Sequence, residues 1–317
     1  MKLRIRKRVF AAGLLGIVLF LCNPVMFLAG KYVFAAAFLD TSEILLPANF
    51  LALPADFIPD LPQQPDPHQF NDTTIPRIIH QTWRTADMST LKSNWAWAHR
   101  SCHERHDRDF TYMFWTDADL LDFVQRHYAD FVPKFLSFPH PIQQIDAARI
   151  LLLHFYGGIY MDMDIGCERS MLPLISVSGA RGVLPQTMGG LSNDWMAFEP
   201  KHPFLEAIIR NMHSTRTFMP YLTVMLTTGP AFVTSQFYWS DSETRDGIRI
   251  LPGRFYADRV PEVFFNHVNG STWHEADAIF VRWVIGHGIY ALLVAVALAI
   301  LIFMKRKQRK EYSIKIA

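Results

Sequence analysis

Two long apolar runs near the ends constrain this chain more than any other feature. Residues 9–30 contain no charged side chain and follow Met1-Lys-Leu-Arg-Ile-Arg-Lys-Arg8, which carries five positive charges. At 1.5 Å per residue a helix over that run is roughly 33 Å long, enough to cross a bilayer. Residues 283–304 form the second run, with His287 its only ionisable group, and Lys305-Arg306-Lys307-Gln308-Arg309-Lys310 follows directly. Basic clusters at the outer ends of both runs place both termini in the cytosol and the stretch between them in the lumen. A cleaved signal peptide competes for the first run, because Ala29 and Gly30 are small. The run exceeds the usual core of roughly 7–15 residues, which favours an uncleaved anchor.

Half of the residues are hydrophobic, and the excess sits in those two runs. The formal charge is +2 and its basic residues cluster near the termini, so no basic patch argues for nucleic acid. Three cysteines make no disulfide framework. Cys22 lies inside the first run. Cys102 and Cys167 either pair in an oxidising lumen or remain two buried thiols. Asn71-Asp-Thr73 and Asn269-Gly-Ser271 are glycosylation sequons. The expected divisions are 1–30 (basic tail and anchor), 31–71 (interfacial segment and linker), 72–281 (catalytic domain), 282–304 (second anchor) and 305–317 (basic tail). The segment after residue 31 is rich in Leu, Phe and Ala. It reads either as a helix on the lumenal leaflet or as part of the globular domain.

Between the anchors, strand-like and helical stretches alternate. Ile75-Pro-Arg-Ile-Ile-His-Gln-Thr-Trp83 reads as a buried first strand and residues 91–106 as a helix. Asp109-Phe-Thr-Tyr-Met-Phe-Trp115 reads as a second strand, and Asp117 as the cap of a helix to about Tyr128. Pro141 starts a further helix that Gly157-Gly158 ends. Ile159-Tyr160-Met161 is the next strand, delivering Asp162 and Asp164 into a loop. Such alternation predicts an α/β fold with a mostly parallel sheet, whose ligands bind at the carboxyl ends of strands.

Asp162 and Asp164 flank one residue, so in an extended segment their carboxylates point the same way. Two such charges repel unless a cation lies between them, and a hard divalent ion with oxygen ligands is the natural occupant. Asp-x-Asp alone is weak. Behind Gly157-Gly-Ile-Tyr160 and a long apolar helix it becomes specific.

The stretch from Pro141 to Cys167, Pro-Ile-Gln-Gln-Ile-Asp-Ala-Ala-Arg-Ile-Leu-Leu-Leu-His-Phe-Tyr-Gly-Gly-Ile-Tyr-Met-Asp-Met-Asp-Ile-Gly-Cys, resembles the DXD-motif sugar transferases. Among them it is most similar to fungal inositol phosphoceramide mannosyltransferases. Ile75 to Trp83, Leu191-Ser-Asn-Asp-Trp-Met196, Thr227-Thr-Gly-Pro-Ala-Phe232 and His267-Val-Asn-Gly-Ser-Thr-Trp-His-Glu-Ala-Asp-Ala278 extend the resemblance in the expected order. It implies a GT-A-like, Rossmann-type nucleotide-sugar domain between two transmembrane helices, with GDP-mannose as donor and Mn2+ as cofactor. It further implies an inositol phosphoceramide acceptor, a Golgi location and a regulatory membrane subunit.

Carried over by position, Asp162 contacts the donor or a metal-bound water and Asp164 ligates the metal. Asp146 and Arg149 turn toward the donor sugar and phosphate, although an intrahelical ion pair explains their spacing equally well. Tyr160 shares a side of its strand with Asp162. It stacks or bonds at the donor, or is a core aromatic. His80, Gln81 and Trp83 close the first strand where a nucleotide base sits; a buried histidine satisfied by backbone is the bland alternative for His80. Asn193 and Asp194 face the transferred sugar. Thr228-Gly229-Pro230 shapes the pocket. Ser271, Trp273 and His274 belong to a loop over the diphosphate, with His274, and less favourably His267, a candidate metal ligand. The resemblance also implies retention of anomeric configuration, for which no carboxylate nucleophile of the hydrolase kind is identifiable.

The anchors bear on the acceptor. Ala278 lies about five residues from the second run, a tether of at most about 20 Å, which suits a lipid. Transfer to protein-linked N-glycans and a catalytically silent regulatory paralogue are the alternatives. A metal-dependent phosphatase would need more ligands than the spacing offers.

Overall fold

The structure is a computed structural model and describes residues 24–39, 41, 45–46, 75–177, 179–187, 189–217, 219–256, 263–268 and 277–279. Two compact units divide the chain, residues 1–218 with 223–271, and residues 219–222 with 272–317. In the second, the backbone N–H of Tyr221 donates to the Asp277 carboxylate at 2.7 Å. The first holds every strand among the described residues.

Its elements in chain order are α1 (Pro24–Phe38), β1 (Ile78–Thr82), α2 (Ser93–His106), β2 (Thr111–Trp115), α3 (Asp117–His127), α4 (Pro141–Tyr156), β3 (Gly158–Met161), β4 (Ile165–Cys167), β5 (Gly182–Thr187), β6 (Gly190–Leu191), β7 (Trp195–Phe198), α5 (Pro203–Asn211), α6 (Pro220–Thr227), α7 (Pro230–Trp239), β8 (Ile248–Leu251) and β9 (Phe265–His267). α6 begins in the second unit and ends in the first. Among the described residues no helix is long and apolar enough to cross a membrane. Residues 9–23 and the whole second apolar run lie outside them, as do both sequons. α1 runs through the boundary expected at residue 30 and packs on α7, with Phe34 stacked on Trp239 at 5.7 Å. One side of this segment is thus packed on the domain.

The main sheet has the order β2-β1-β3-β7-β5-β6, with β8 beside β5. β1 pairs parallel with β2 and with β3, and β5 parallel with β8. The β3–β7, β5–β7 and β5–β6 pairs are antiparallel. The sheet is therefore mixed, not mostly parallel. β5, β6 and β7 follow one another by short connections, which only antiparallel partners accept. A separate antiparallel pair joins β4 to β9.

Alternation along the central strands divides the core into two faces. Ile159, Trp195 and Ala197 pack with Ile79, Cys102 and Leu251 on one face. Tyr160, Met196 and Phe198 pack with Leu151, Phe123, Phe204 and Phe237 on the other. α4 is apolar along most of its length because it lies under the second face, with Ile150 to Leu153 fully buried. Pro141 opens it and Gly157 closes it at φ 66°, a conformation that favours glycine. A Cβ on Gly158 would meet the Ile78 carbonyl at 2.5 Å, so this turn takes glycine twice. α3 is capped by Thr116, whose hydroxyl accepts the Asp119 N–H while the Asp119 carboxylate accepts the Thr116 N–H. The capping residue is one place earlier than the expected Asp117.

Cys102 on α2 and Cys167 on β4 form a disulfide across 65 positions. On the loop-entropy account a closure of that length stabilises the fold by about 4 kcal/mol. It binds the strand that leaves the Asp pair to α2.

Burial holds His80, His106 and His202 down to about 4. Above pH 6.5 they are neutral folded or unfolded and contribute nothing to the pH dependence. Between pH 6.5 and 4 the unfolded chain takes up protons that the native imidazoles refuse, so stability falls as pH falls. Burial of Asp146 and Asp162 acts in the opposite sense, so a variant comparison is needed. His80→Gln should lose about 2 kcal/mol less stability than the native protein between pH 7 and pH 5, measured by denaturant unfolding.

Candidate active site at the end of the central strand

Asp162 follows the last residue of β3, the strand at the middle of the sheet. The Asp pair occupies a tight turn, not the extended segment expected, with the Ile165 N–H returning to the Asp162 carbonyl at 3.2 Å. Three contacts hold this turn. Met163, between the two aspartates, is buried in an apolar cluster with Leu91 and Trp95. The Asp162 N–H donates to the Asp194 carbonyl at 2.8 Å, and the Asp164 carbonyl accepts from Val268 N–H at 2.9 Å.

Beneath it lies a buried polar network. Arg149, 2 % exposed, projects from α4 and reaches the Asp162 carboxylate at 3.2 Å, the Asp146 carboxylate at 3.3 Å and the Asn193 carbonyl at 2.7 Å. Its guanidinium also lies over the Tyr160 ring, 4.6 Å from the centroid. The Tyr160 hydroxyl donates to Asp162 at 2.8 Å and lies 3.0 Å from the Thr82 hydroxyl. Asp146 accepts from Asn193 Nδ2 at 3.0 Å and from the Thr228 hydroxyl at 2.9 Å. Asp146 and Arg149 form the intrahelical ion pair that their spacing allows, and the pair extends to Asp162.

Asp194 faces the turn from the neighbouring strand loop. It accepts from the Ser192 hydroxyl at 2.5 Å and from the Tyr256 hydroxyl, and His267 Nδ1 stands 3.9 Å away. Burial raises the Asp162 carboxyl to about 7 against the pull of Arg149, and the Asp164 and Asp194 charges push it the same way. Burial and the Asp194 charge likewise raise Asp164, and His267 opposes them. Burial raises Asp146 against Arg149, and burial raises Tyr256, with Asp194 adding to it.

Four carboxyl groups thus meet one buried guanidinium. That excess of negative charge fits a cation, and Asp164 and Asp194, which Arg149 does not bond, are the groups placed to receive it. No cluster of three or more candidate metal-ligating side chains is preformed among the described residues.

The other expected residues divide. Asn193 is turned inward, its amide on Asp146. His80 lies fully buried, with Nε2 at 3.0 Å from the Gly157 carbonyl and Nδ1 accepting the Trp115 indole N–H at 3.2 Å. Both ring nitrogens serve the fold and neither is left for a donor. Trp83 donates to the Thr90 hydroxyl at 2.8 Å and meets Trp95 edge to face. Gln81 accepts at 2.7 Å from His99, and its buried Nε2 has no protein partner. It lines a cavity of about 190 Å³ with Met88, His99, His103, Tyr112 and Phe114. Ser271, Trp273 and His274 lie outside the described residues. Thr82 and Ser192 lie inside quoted motif segments without being singled out there, and Tyr256, His99 and His103 carry no motif.

A family model, the glycosyltransferase sugar-binding region containing the DXD motif, matches residues 80–180. Inositol phosphoceramide mannosyltransferase 1 of Schizosaccharomyces pombe is 38 % identical over 248 residues, covering 74 % of this chain and 76 % of the relative. The chain belongs to this family of DXD-motif glycosyltransferases. Mannosyl phosphorylinositol ceramide synthase CSH1 of Saccharomyces cerevisiae is 36 % identical, covering 70 % of this chain and 60 % of its own. The initiation-specific alpha-1,6-mannosyltransferase of the same yeast is 31 % identical over 94 residues, 28 % of this chain and 20 % of that protein. The fold is a mixed α/β sheet and the chain is a glycosyltransferase.

Removing Arg149 from this transferase strands buried carboxylates. Arg149→Met should cost about 3–5 kcal/mol at pH 8. The loss should shrink toward pH 5, because carboxyl groups of raised pKa contribute stability at low pH and lose it as pH rises. Denaturant unfolding at the two values checks this; a pH-independent loss would contradict the network.

Proposed function

We infer that the enzyme transfers mannose from GDP-mannose to inositol phosphoceramide, with retention and with a divalent cation such as Mn2+. The observation that carries this reading is the Asp162–Asp164 turn, set over Arg149 and facing Asp194, in a chain with relatives named for that reaction. Asp164 and Asp194 would hold the cation, which neutralises charge on the departing diphosphate. Asp162 is already bonded by Arg149 and Tyr160, so its role is to position the turn and meet the donor ribose or a metal-bound water. The guanine would occupy the cavity beside Gln81, whose unpartnered amide offers a donor to a base acceptor. Stacking against the aromatic wall of Tyr112 and Phe114 would supply the remaining affinity.

For transfer with retention, the acceptor hydroxyl oxygen bonds to the anomeric carbon on the face the phosphate leaves. The carbon–phosphate oxygen bond breaks, and the hydroxyl proton passes to the departing oxygen to give GDP. A mannose trapped covalently on Asp194 would replace this front-side route with a double displacement. The disulfide suits an oxidising lumen, in keeping with a Golgi enzyme. A regulatory membrane subunit follows from the family resemblance alone.

The test is mannose transfer from GDP-mannose to inositol phosphoceramide in detergent with Mn2+, on the full chain. Asp164→Ala and chelation should each lower kcat by at least about a hundredfold. Metal-dependent donor hydrolysis without lipid transfer would redirect the acceptor to protein-linked glycans. Neither activity in folded protein would make the chain a silent paralogue.

A further inference from the structure

α1 has the sequence Pro-Val-Met-Phe-Leu-Ala-Gly-Lys-Tyr-Val-Phe-Ala-Ala-Ala-Phe, whose only charged residue is Lys31. A helix that is apolar all round needs apolar surroundings on every side. α7 supplies one side: Ala35 is fully buried, and Phe34 meets Tyr238 at 5.8 Å and Trp239 at 5.7 Å. The other side faces outward. Val33 is 63 % exposed, Phe38 62 % and Trp239 50 %. With Phe34 these make four of the eight large exposed apolar side chains among the described residues, and the other four lie on other segments.

The chemistry of this face selects its occupant. Lys31 stands 5.7 Å from the centre of the Trp239 ring, so a cation and an indole share one edge of the apolar surface. Aromatic rings beside a basic group are the composition of the lipid–water boundary, where the rings enter the headgroup layer and the ammonium meets phosphate. The chain before α1 supports the same occupant, because residues 9–23 continue its apolar sequence without a charge. We propose that the outer face of α1, with the end of α7, lies on the membrane leaflet and seats the catalytic domain there.

Position gives this surface a use. α7 starts beside Thr228, which bonds Asp146 under the donor site, and ends at Trp239. Ten residues at 1.5 Å put the two ends roughly 15 Å apart. Tyr32 of α1 also donates to the Gly189 carbonyl at 2.7 Å, at the turn that leads through β6 to Asn193 and Asp194. A leaflet held by this face therefore lies one short helix from the chemistry, within reach of a lipid headgroup.

The experiment reads depth, so it does not depend on the substrate assigned above. Full-length protein in liposomes containing anionic lipid would carry an environment-sensitive dye at Phe38→Cys, Trp239→Cys or the exposed control Leu136→Cys, each in a Cys22→Ser background. The dye at positions 38 and 239 should be blue-shifted and quenched by lipids bearing a nitroxide near the headgroup, at least about threefold more than at 136. Equal quenching at all three positions would overturn the proposal. So would a blue shift at 38 and 239 that follows protein concentration and ignores the quencher, which would give the face to a second copy of the chain. As a functional arm resting on the lipid-acceptor reading, Phe38→Ser with Trp239→Ser should lower transfer to bilayer-embedded acceptor about tenfold. Donor hydrolysis in detergent should stay within about twofold, since neither residue touches the site.

Discussion

The site depends on one buried cation. Arg149 belongs to α4, but its bonds end on Asp162 beyond β3 and on the backbone before β7, and Asp146 closes the set on its own helix. Desolvating a guanidinium is expensive, and only several anionic or carbonyl partners offset it. Here those partners come from three segments. The requirement that Arg149 be satisfied therefore fixes where the turn, the Asn193 loop and the helix stand relative to one another. Asn193 and Thr228 join Arg149 on Asp146, so both of its oxygens are engaged within the protein.

A second set of ties reaches the same turn from the opposite face. The disulfide joins α2 to β4, β4 pairs with β9, and β9 ends in His267, which faces Asp194. Met163 meanwhile sinks into a cluster with Leu91, Trp95 and Trp83, and Met88 and Phe114 of that cluster also line the cavity at Gln81. The residue between the two aspartates is thus the mechanical link between the carboxylates and that cavity. An Asp-x-Asp motif in a surface turn has no such anchor, which is a physical reason for the bulky apolar residue in the middle.

The α4-to-β3 unit was legible in the sequence because each level agrees there: proline at the start, an apolar body, two glycines at the stop and a strand behind them. The mixed sheet was not, since β5 to β7 are short strands whose apolar character is the same for either direction of pairing. Alternation placed Tyr160 and Asp162 on one side of β3, yet could not show that Arg149 would bond both the carboxylate and the ring. His80 looked like a binding residue because polar side chains at strand ends often are; its burial between Gly157 and Trp115 is a tertiary fact. Of the two hydroxyls that bond Asp194, Tyr256 occupies a segment with no pattern, and Ser192, though inside Leu191 to Met196, has nothing to mark it beside Asn193 and Asp194. Sequence marks the groups that carry charge more readily than the neutral groups that hold them.

Asp194 shows why those holders matter. Two hydroxyls donate to one of its oxygens, leaving the other toward His267 and the Asp pair. A carboxylate so held keeps its orientation without a counter-ion, and of Asp162, Asp164 and Asp194 it is Asp162 that Arg149 bonds. Removing either hydroxyl would free Asp194 to turn. The mutual repulsion of three carboxylates, which burial strengthens, would then relax by separation and not by binding a cation. The neutral donors therefore keep the negative charges close together, which is the excess that the proposed divalent ion would relieve.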